Sequence, residues 1–253
     1  MPLSFQLYSS RSVPSQIDFL PHLAALGYSQ VEGYGGVYDG PAALRAALDA
    51  TGLHMPSGHM ALTALETHFE GCVALSKGLG MNRVFAPHLD PADRPADRAG
   101  WADLAHRLAA IGARLGDHGL AFGWHNHDFE LRPMADGSVP LDILLTEAPD
   151  IAWEGDLAWV IRGGADAADW VARYGDRLAA VHIKDIAAPG TNADQDGWAD
   201  LGHGTVDWAA LLDQINSVAP DALMIVEHDK PRDARAFAET SIAAYTRMTA
   251  GPE

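Results

Sequence analysis

Four short segments carry side chains suited to metal binding and proton transfer. They are Trp124-His125-Asn126-His127-Asp128-Phe129-Glu130, Trp153-Glu154-Gly155-Asp156, Val181-His182-Ile183-Lys184-Asp185 and Ile225-Val226-Glu227-His228. Each follows an apolar run and precedes a helical pattern. Carboxylates and imidazoles arriving one per strand can converge on a divalent ion. Burying several carboxylates together without a cation would be costly. Mixed oxygen and imidazole donors suit Mn2+, Co2+, Mg2+ or Zn2+ without singling one out.

Strand and helix signals alternate from end to end. Strand patterns occupy residues 3–8, 30–34, 54–60, 83–89, 120–127, 151–160, 178–186 and 222–228. Helical spacing of apolar residues covers 13–26, 41–50, 62–79, 101–115, 141–147, 166–174, 207–218 and 232–248. Residues 90–97 and 187–203 read as loops. Strict alternation over this length predicts one closed (β/α)8 barrel spanning residues 1–253. A doubly wound open sheet is disfavoured, because the first strand–helix turn lacks a G-x-G-x-x-G fingerprint. In such a barrel the four segments meet at the C-terminal rim.

Successive side chains of a strand point to opposite faces, so parity sorts the candidates. Val181 and Ile183 suit packing against the helix ring, which turns His182 and Lys184 inward. Glu154 and Asp156 share a face, as do His125 and His127, and Ile225 and Glu227. Glu32, His59 and His88 follow the second, third and fourth strand patterns as further rim candidates. Tyr8, Tyr34, Trp124 and Trp159 could stack on the apolar C–H face of a sugar.

The net charge is -17, from 34 acidic and 17 basic residues. It argues against nucleic acid and anionic membranes as partners. No Lys/Arg cluster or Gly-rich phosphate loop invites a strongly anionic substrate. No apolar run approaches the ~18–20 residues of a membrane span, and no signal-peptide pattern opens the sequence, so the expected location is cytoplasmic. The single cysteine, Cys72, sits in an apolar helical stretch and reads as a core residue. Homo-oligomerisation is left open.

Several motifs together resemble the sugar phosphate isomerase/epimerase family of xylose-isomerase-like TIM barrels. They are Leu26-Gly27-Tyr28 with Val31-Glu32, His125-Asn126-His127-Asp128-Phe129-Glu130, Asp156-Leu157-Ala158-Trp159-Val160 with Gly163-Gly164-Ala165-Asp166, His182-Ile183-Lys184-Asp185, Gly202-His203-Gly204-Thr205-Val206-Asp207-Trp208, and Val226-Glu227. The resemblance implies one divalent metal held by Glu, Asp, His and Glu from the fifth to eighth strands. Three of these carry over onto Asp156, His182 and Glu227. The first does not carry over directly, since His125-Asn126 stands where relatives have Glu; Glu130 is taken as the fourth ligand, with His125 as the alternative. A second departure is His203, where relatives often carry Glu between the glycines.

The activity so implied is isomerisation or epimerisation of a sugar or keto-sugar. A proton next to a carbonyl is removed and an enediolate is stabilised by the metal. Glu227 and Glu130 are the expected acid/base residues, with His125, His127 and Lys184 as polar partners of the substrate. Glu32, His59, His88, Trp159 and His203 are expected to contact it. The alternative is a lyase or dehydratase acting on 3-keto-glycosides or inosose-like cyclitols in the same barrel. A phosphodiester nuclease related to endonuclease IV would need a basic DNA face, and the charge opposes it.

Overall fold

A computed structural model describes residues 2–250. Eight parallel strands close into a barrel: β1 (Leu3–Gln6), β2 (Gln30–Gly33), β3 (His54–His59), β4 (Arg83–Ala86), β5 (Ala121–His125), β6 (Ala152–Asp156), β7 (Leu178–Ile183) and, after a short hairpin of β8 (Asp185–Ile186) and β9 (Trp198–Ala199), β10 (Leu223–Val226). The order around the barrel is β1-β10-β7-β6-β5-β4-β3-β2. The helices are α1 (Gln16–Leu26), α2 (Pro41–Thr51), α3 (Leu62–Thr67), α4 (Phe69–Leu79), α5 (Arg98–Gly116), α6 (Pro140–Glu147), α7 (Leu157–Arg162), α8 (Ala167–Tyr174), α9 (Trp208–Val218) and α10 (Ala234–Thr249). Among the described residues no helix is long and apolar enough to cross a membrane.

Local chemistry sets the ends of these elements. Ser15, Asp97, Asp166 and Asp233 cap α1, α5, α8 and α10 by accepting bonds from first-turn N–H groups, which leaves fewer orphan donors. Gly27, at φ +99, ends α1 in the left-handed region.

Four sequence expectations are corrected. The first strand stops at Gln6, whose Oε1 accepts from Tyr8 N at 3.0 Å and starts a 3-10 turn. The helix expected over 62–79 breaks at His68, where φ -130 and ψ 37 are not helical. The sixth strand stops at Asp156, because its side chain caps α7 through Trp159 N at 2.9 Å. The expected loop at 187–203 contains β9, which pairs antiparallel with β8.

The main apolar core lies between barrel and helix ring, with Trp124, Trp153, Phe237, Val181 and Ile183 fully buried in it. Inside the barrel a much smaller cluster of Phe85, Ala180 and Ile225 fills the lower lumen. Above it the lumen turns polar. Strand register sets the levels there: His125 pairs with Glu154, Asp156 with His182, and Gln6 with Glu32.

Candidate active site

Two layers of titratable side chains fill the upper lumen. The donor atoms of His125, Asp156, His182 and Glu227 lie within 4.8 Å of one another, and all four residues are buried. His182 Nδ1 is 2.9 Å from Glu227 Oε2. Lys184 Nζ stands 2.8 Å from Glu227 Oε2, 2.9 Å from Asp156 Oδ2 and 3.1 Å from both Asp229 oxygens. Asp156 Oδ1 is engaged by the α7 cap, while Oδ2 makes an ion-pair contact with no aligned hydrogen bond. Asn126 holds this corner: Oδ1 accepts from Trp153 Nε1 and Asp156 N, and Nδ2 donates to Asp156 O.

The second layer lies one level deeper. Glu32 accepts from Gln6 Nε2 at 2.8 Å and from the Ser57 hydroxyl. His182 Nε2 is 2.7 Å from the same carboxylate. Glu154 Oε2 lies 2.5 Å from His59 Nε2 and 3.1 Å from His125 Nδ1.

The electrostatics follow from this packing. Burial would raise the Glu227 carboxyl, yet Lys184 and His182 hold it well below the usual range. Burial opposes the charged form of Lys184, but Asp156, Asp229 and Glu227 raise its pKa further. Burial likewise opposes charge on His182, and Glu154 and Glu227 hold its pKa well above the ordinary value. Burial, with His182 beside it, lowers His125 to about 4. Burial and His125 keep His127 neutral, well below the usual imidazole value.

A cavity of about 940 Å³ opens above these layers. His59, His125, His127, Glu227 and Asp229 reach its wall. Tyr8, Tyr34, Trp159 and Trp198 supply aromatic faces, and His88, Arg11 and Arg162 stand further out. The wall mixes guanidinium groups with Asp90, Asp93, Asp196 and Glu66, so it forms no cationic pocket for a phosphate.

The structure brings Asp156, His182, Glu227, His125 and Lys184 together. His59, His88, His127 and Trp159 reach the cavity, and Glu32 lies beneath the converging donor atoms rather than at the rim. Two candidates stand apart. Glu130 sits on a 3-10 turn behind β5, fully buried, with Oε1 accepting from Trp124 Nε1 at 3.0 Å and Oε2 from His127 N at 2.9 Å. These contacts place Glu130 outside the group of converging donor atoms, in which His125 is the fourth member. His203 borders a separate small depression with Asn192, Gln195 and Asp200, because Asp185 pins its loop away from the mouth. Trp124 packs in the core as the partner of Glu130. Asp229, Arg11, Arg162 and Trp198 escaped the sequence reading. Asp229 carried a signal, sharing parity with Glu227 two residues on.

The sequence matches a xylose isomerase-like TIM barrel over residues 20–247. The chain belongs to that family. Within the xylose isomerase-like fold it is similar to a sugar phosphate isomerase/epimerase from Parabacteroides distasonis, at 18% identity and TM-score 0.80, covering 98% of this chain and 94% of that one. A probable 3-DHS dehydratase, AsbF, from Bacillus anthracis is 14% identical, with TM-score 0.78 and coverage of 97% and 99%. An IolI protein with a binding zinc atom is 14% identical, with TM-score 0.79 and coverage of 98% of both chains. At these identities the likeness is one of fold. A search of curated proteins found no match.

Proposed function

We propose that this protein is a divalent-metal-dependent isomerase or epimerase of a sugar or keto-sugar. One observation carries the reading: two imidazoles and two carboxylates, all buried, converge within 4.8 Å beside a cavity of about 940 Å³. The set fits a cation on its own chemistry. Asp156 Oδ2 is a buried acceptor without an aligned donor, and an O/N donor set takes Mn2+, Co2+, Mg2+ or Zn2+. His125, Asp156, His182 and Glu227 would hold it. When bound, such an ion polarises a carbonyl and its neighbouring hydroxyl and lowers the energy of an enediolate.

The remaining work falls to the chain. Glu227 is ionised and faces the cavity, so its carboxylate is the group that takes the proton next to the carbonyl. Return of that proton to the neighbouring carbon completes isomerisation, and protonation of the first carbon from the opposite face completes epimerisation. Lys184, with Nζ 2.8 Å from Glu227 Oε2, holds that carboxylate in place and in its charged form. His127 is neutral and on the wall, suited to hydrogen bonds with substrate oxygens. Tyr8, Tyr34 and Trp159 cover the apolar face of a sugar ring and exclude water.

The second reading is a carbon–oxygen lyase acting on a 3-keto-glycoside or cyclitol. A cleft of about 940 Å³ has room for the second ring of a glycoside. Product mass separates the two, because elimination changes it and isomerisation does not. The deciding experiment measures metal content, turnover and solvent deuterium incorporation on keto-sugars. Wild type should hold one ion per chain, and Asp156→Asn should lose it. Glu227→Gln should lower turnover by on the order of 10²–10⁴-fold, with substrate affinity changed far less. Full turnover in Glu227→Gln would remove it as the base, and a wild type that takes up no divalent ion would sink the reading.

A further inference from the structure

Three imidazoles of the upper lumen, those of His59, His125 and His182, each have a carboxylate beside them. His182 meets Glu227 with Nδ1 at 2.9 Å and Glu32 with Nε2 at 2.7 Å. His59 Nε2 lies 2.5 Å from Glu154 and 3.4 Å from Glu32. His125 has a buried Nδ1 with no aligned hydrogen bond, and Glu154 Oε2 is 3.1 Å from it. Among the described residues, the ion-pair partners of Glu32 and Glu154 are these imidazoles alone.

We propose that Glu154 is a positioning residue that sets His125, taking its Nδ1–H from below and leaving Nε2 for the cavity side. His59 is the clamp that holds Glu154 in place. The register makes this possible: His125 pairs with Glu154 on the neighbouring strand, and Glu154 and Asp156 share the inward face of β6. One strand therefore contributes both a carboxylate of the donor set and the support of an adjacent imidazole. A carboxylate behind a ligating histidine fixes its tautomer and raises its basicity. The inference rests on the proposed metal only for its effect on affinity; the tautomer is a property of the chain itself.

A rival is that the lower layer is itself a second ion site, because donor atoms of His59, His125, Glu154 and His182 also lie within 4.8 Å. Its spacing argues otherwise. Two donors each ~2.1 Å from an ion stand ~3.4 Å apart in tetrahedral and ~3.0 Å apart in octahedral geometry. His59 Nε2 and Glu154 Oε2 are 2.5 Å apart, which leaves room for a shared proton and not for an ion.

The test uses ¹⁵N-labelled full-length protein. Long-range ¹H–¹⁵N spectra of the metal-free form read the His125 tautomer, and titration calorimetry with Mn2+ or Zn2+ alone reads affinity and stoichiometry. Wild type should show the Nδ1–H form and one ion per chain. Glu154→Gln should mix the tautomers and weaken binding by ~10–100-fold at the same stoichiometry. His59→Asn should shift both readouts the same way by less, and it carries the test if Glu154→Gln does not fold. Unchanged tautomer and affinity in a folded variant would overturn the proposal. So would two ions per chain in wild type with one lost in Glu154→Gln, which would make Glu154 a ligand. A wild type that binds neither ion would end the metal reading, while the tautomer spectra would still decide the role of Glu154.

Discussion

Glu130 shows how little a side chain's type says about its task. It stands five residues beyond His125, yet the strand has ended and the chain has turned behind Trp124. Two N–H donors hold its oxygens, and burial pushes its pKa up to about 8, against the pull of those donors. Because the folded value exceeds that of an exposed glutamate, the folded state keeps a proton that the unfolded chain releases. Stability therefore falls as pH rises from the unfolded carboxyl range through about 8, each unit of difference being worth ~1.4 kcal/mol. Glu130→Gln should flatten that part of the curve, so the urea midpoint of wild type should fall relative to that of the variant as pH rises. Parallel curves for the two proteins across this interval would contradict the assignment.

At the scale of elements, the loop between β7 and α9 deserves its own test. Asp185 accepts from four backbone N–H groups, those of Ile186, Gly202, Gly204 and Val206. A Cβ on Gly204 would lie 2.1 Å from Asp185 Oδ1 and 2.5 Å from Ile186 O. Gly204→Ala should thus cost ~1–3 kcal/mol by overpacking and speed proteolysis between residues 187 and 206. It should also lower turnover, since Trp198 and Asp196 on this loop line the cavity. Wild-type protease resistance would mean that the clasp is not what holds the loop. Strand parity revealed the inward set before any coordinates, because the period of two is a local property. The break at His68 and the end of β6 at Asp156 did not show, since tertiary packing decides the first and a cap the second. Nor could sequence say which strand-end carboxylates occupy the upper layer and which the lower. That depends on stagger between strands, and it is why Glu32 read as a rim candidate. The hairpin of β8 and β9 is too short to leave a pattern.

For the whole molecule, a cation bound only by the folded state adds to stability. At a free concentration 100 times Kd the gain is ~2.7 kcal/mol, which for a domain of this size raises Tm by about 5–10 °C. Calorimetric scans should show that rise with Mn2+ or Zn2+, its reversal by chelator and its absence in Asp156→Asn. A Tm indifferent to both ions would count against the cation site. The distribution of the core has a further consequence. The large apolar mass lies outside the barrel wall, whereas within the barrel Phe85, Ala180 and Ile225 form only a small plug. Cohesion and chemistry thus occupy different layers, separated by one thickness of backbone. Such a partition makes the protein a forgiving template for evolution and for engineering. Matched exchanges among the inward polar residues, each keeping its buried charges paired, can alter the reaction while the annulus that folds the chain stays untouched.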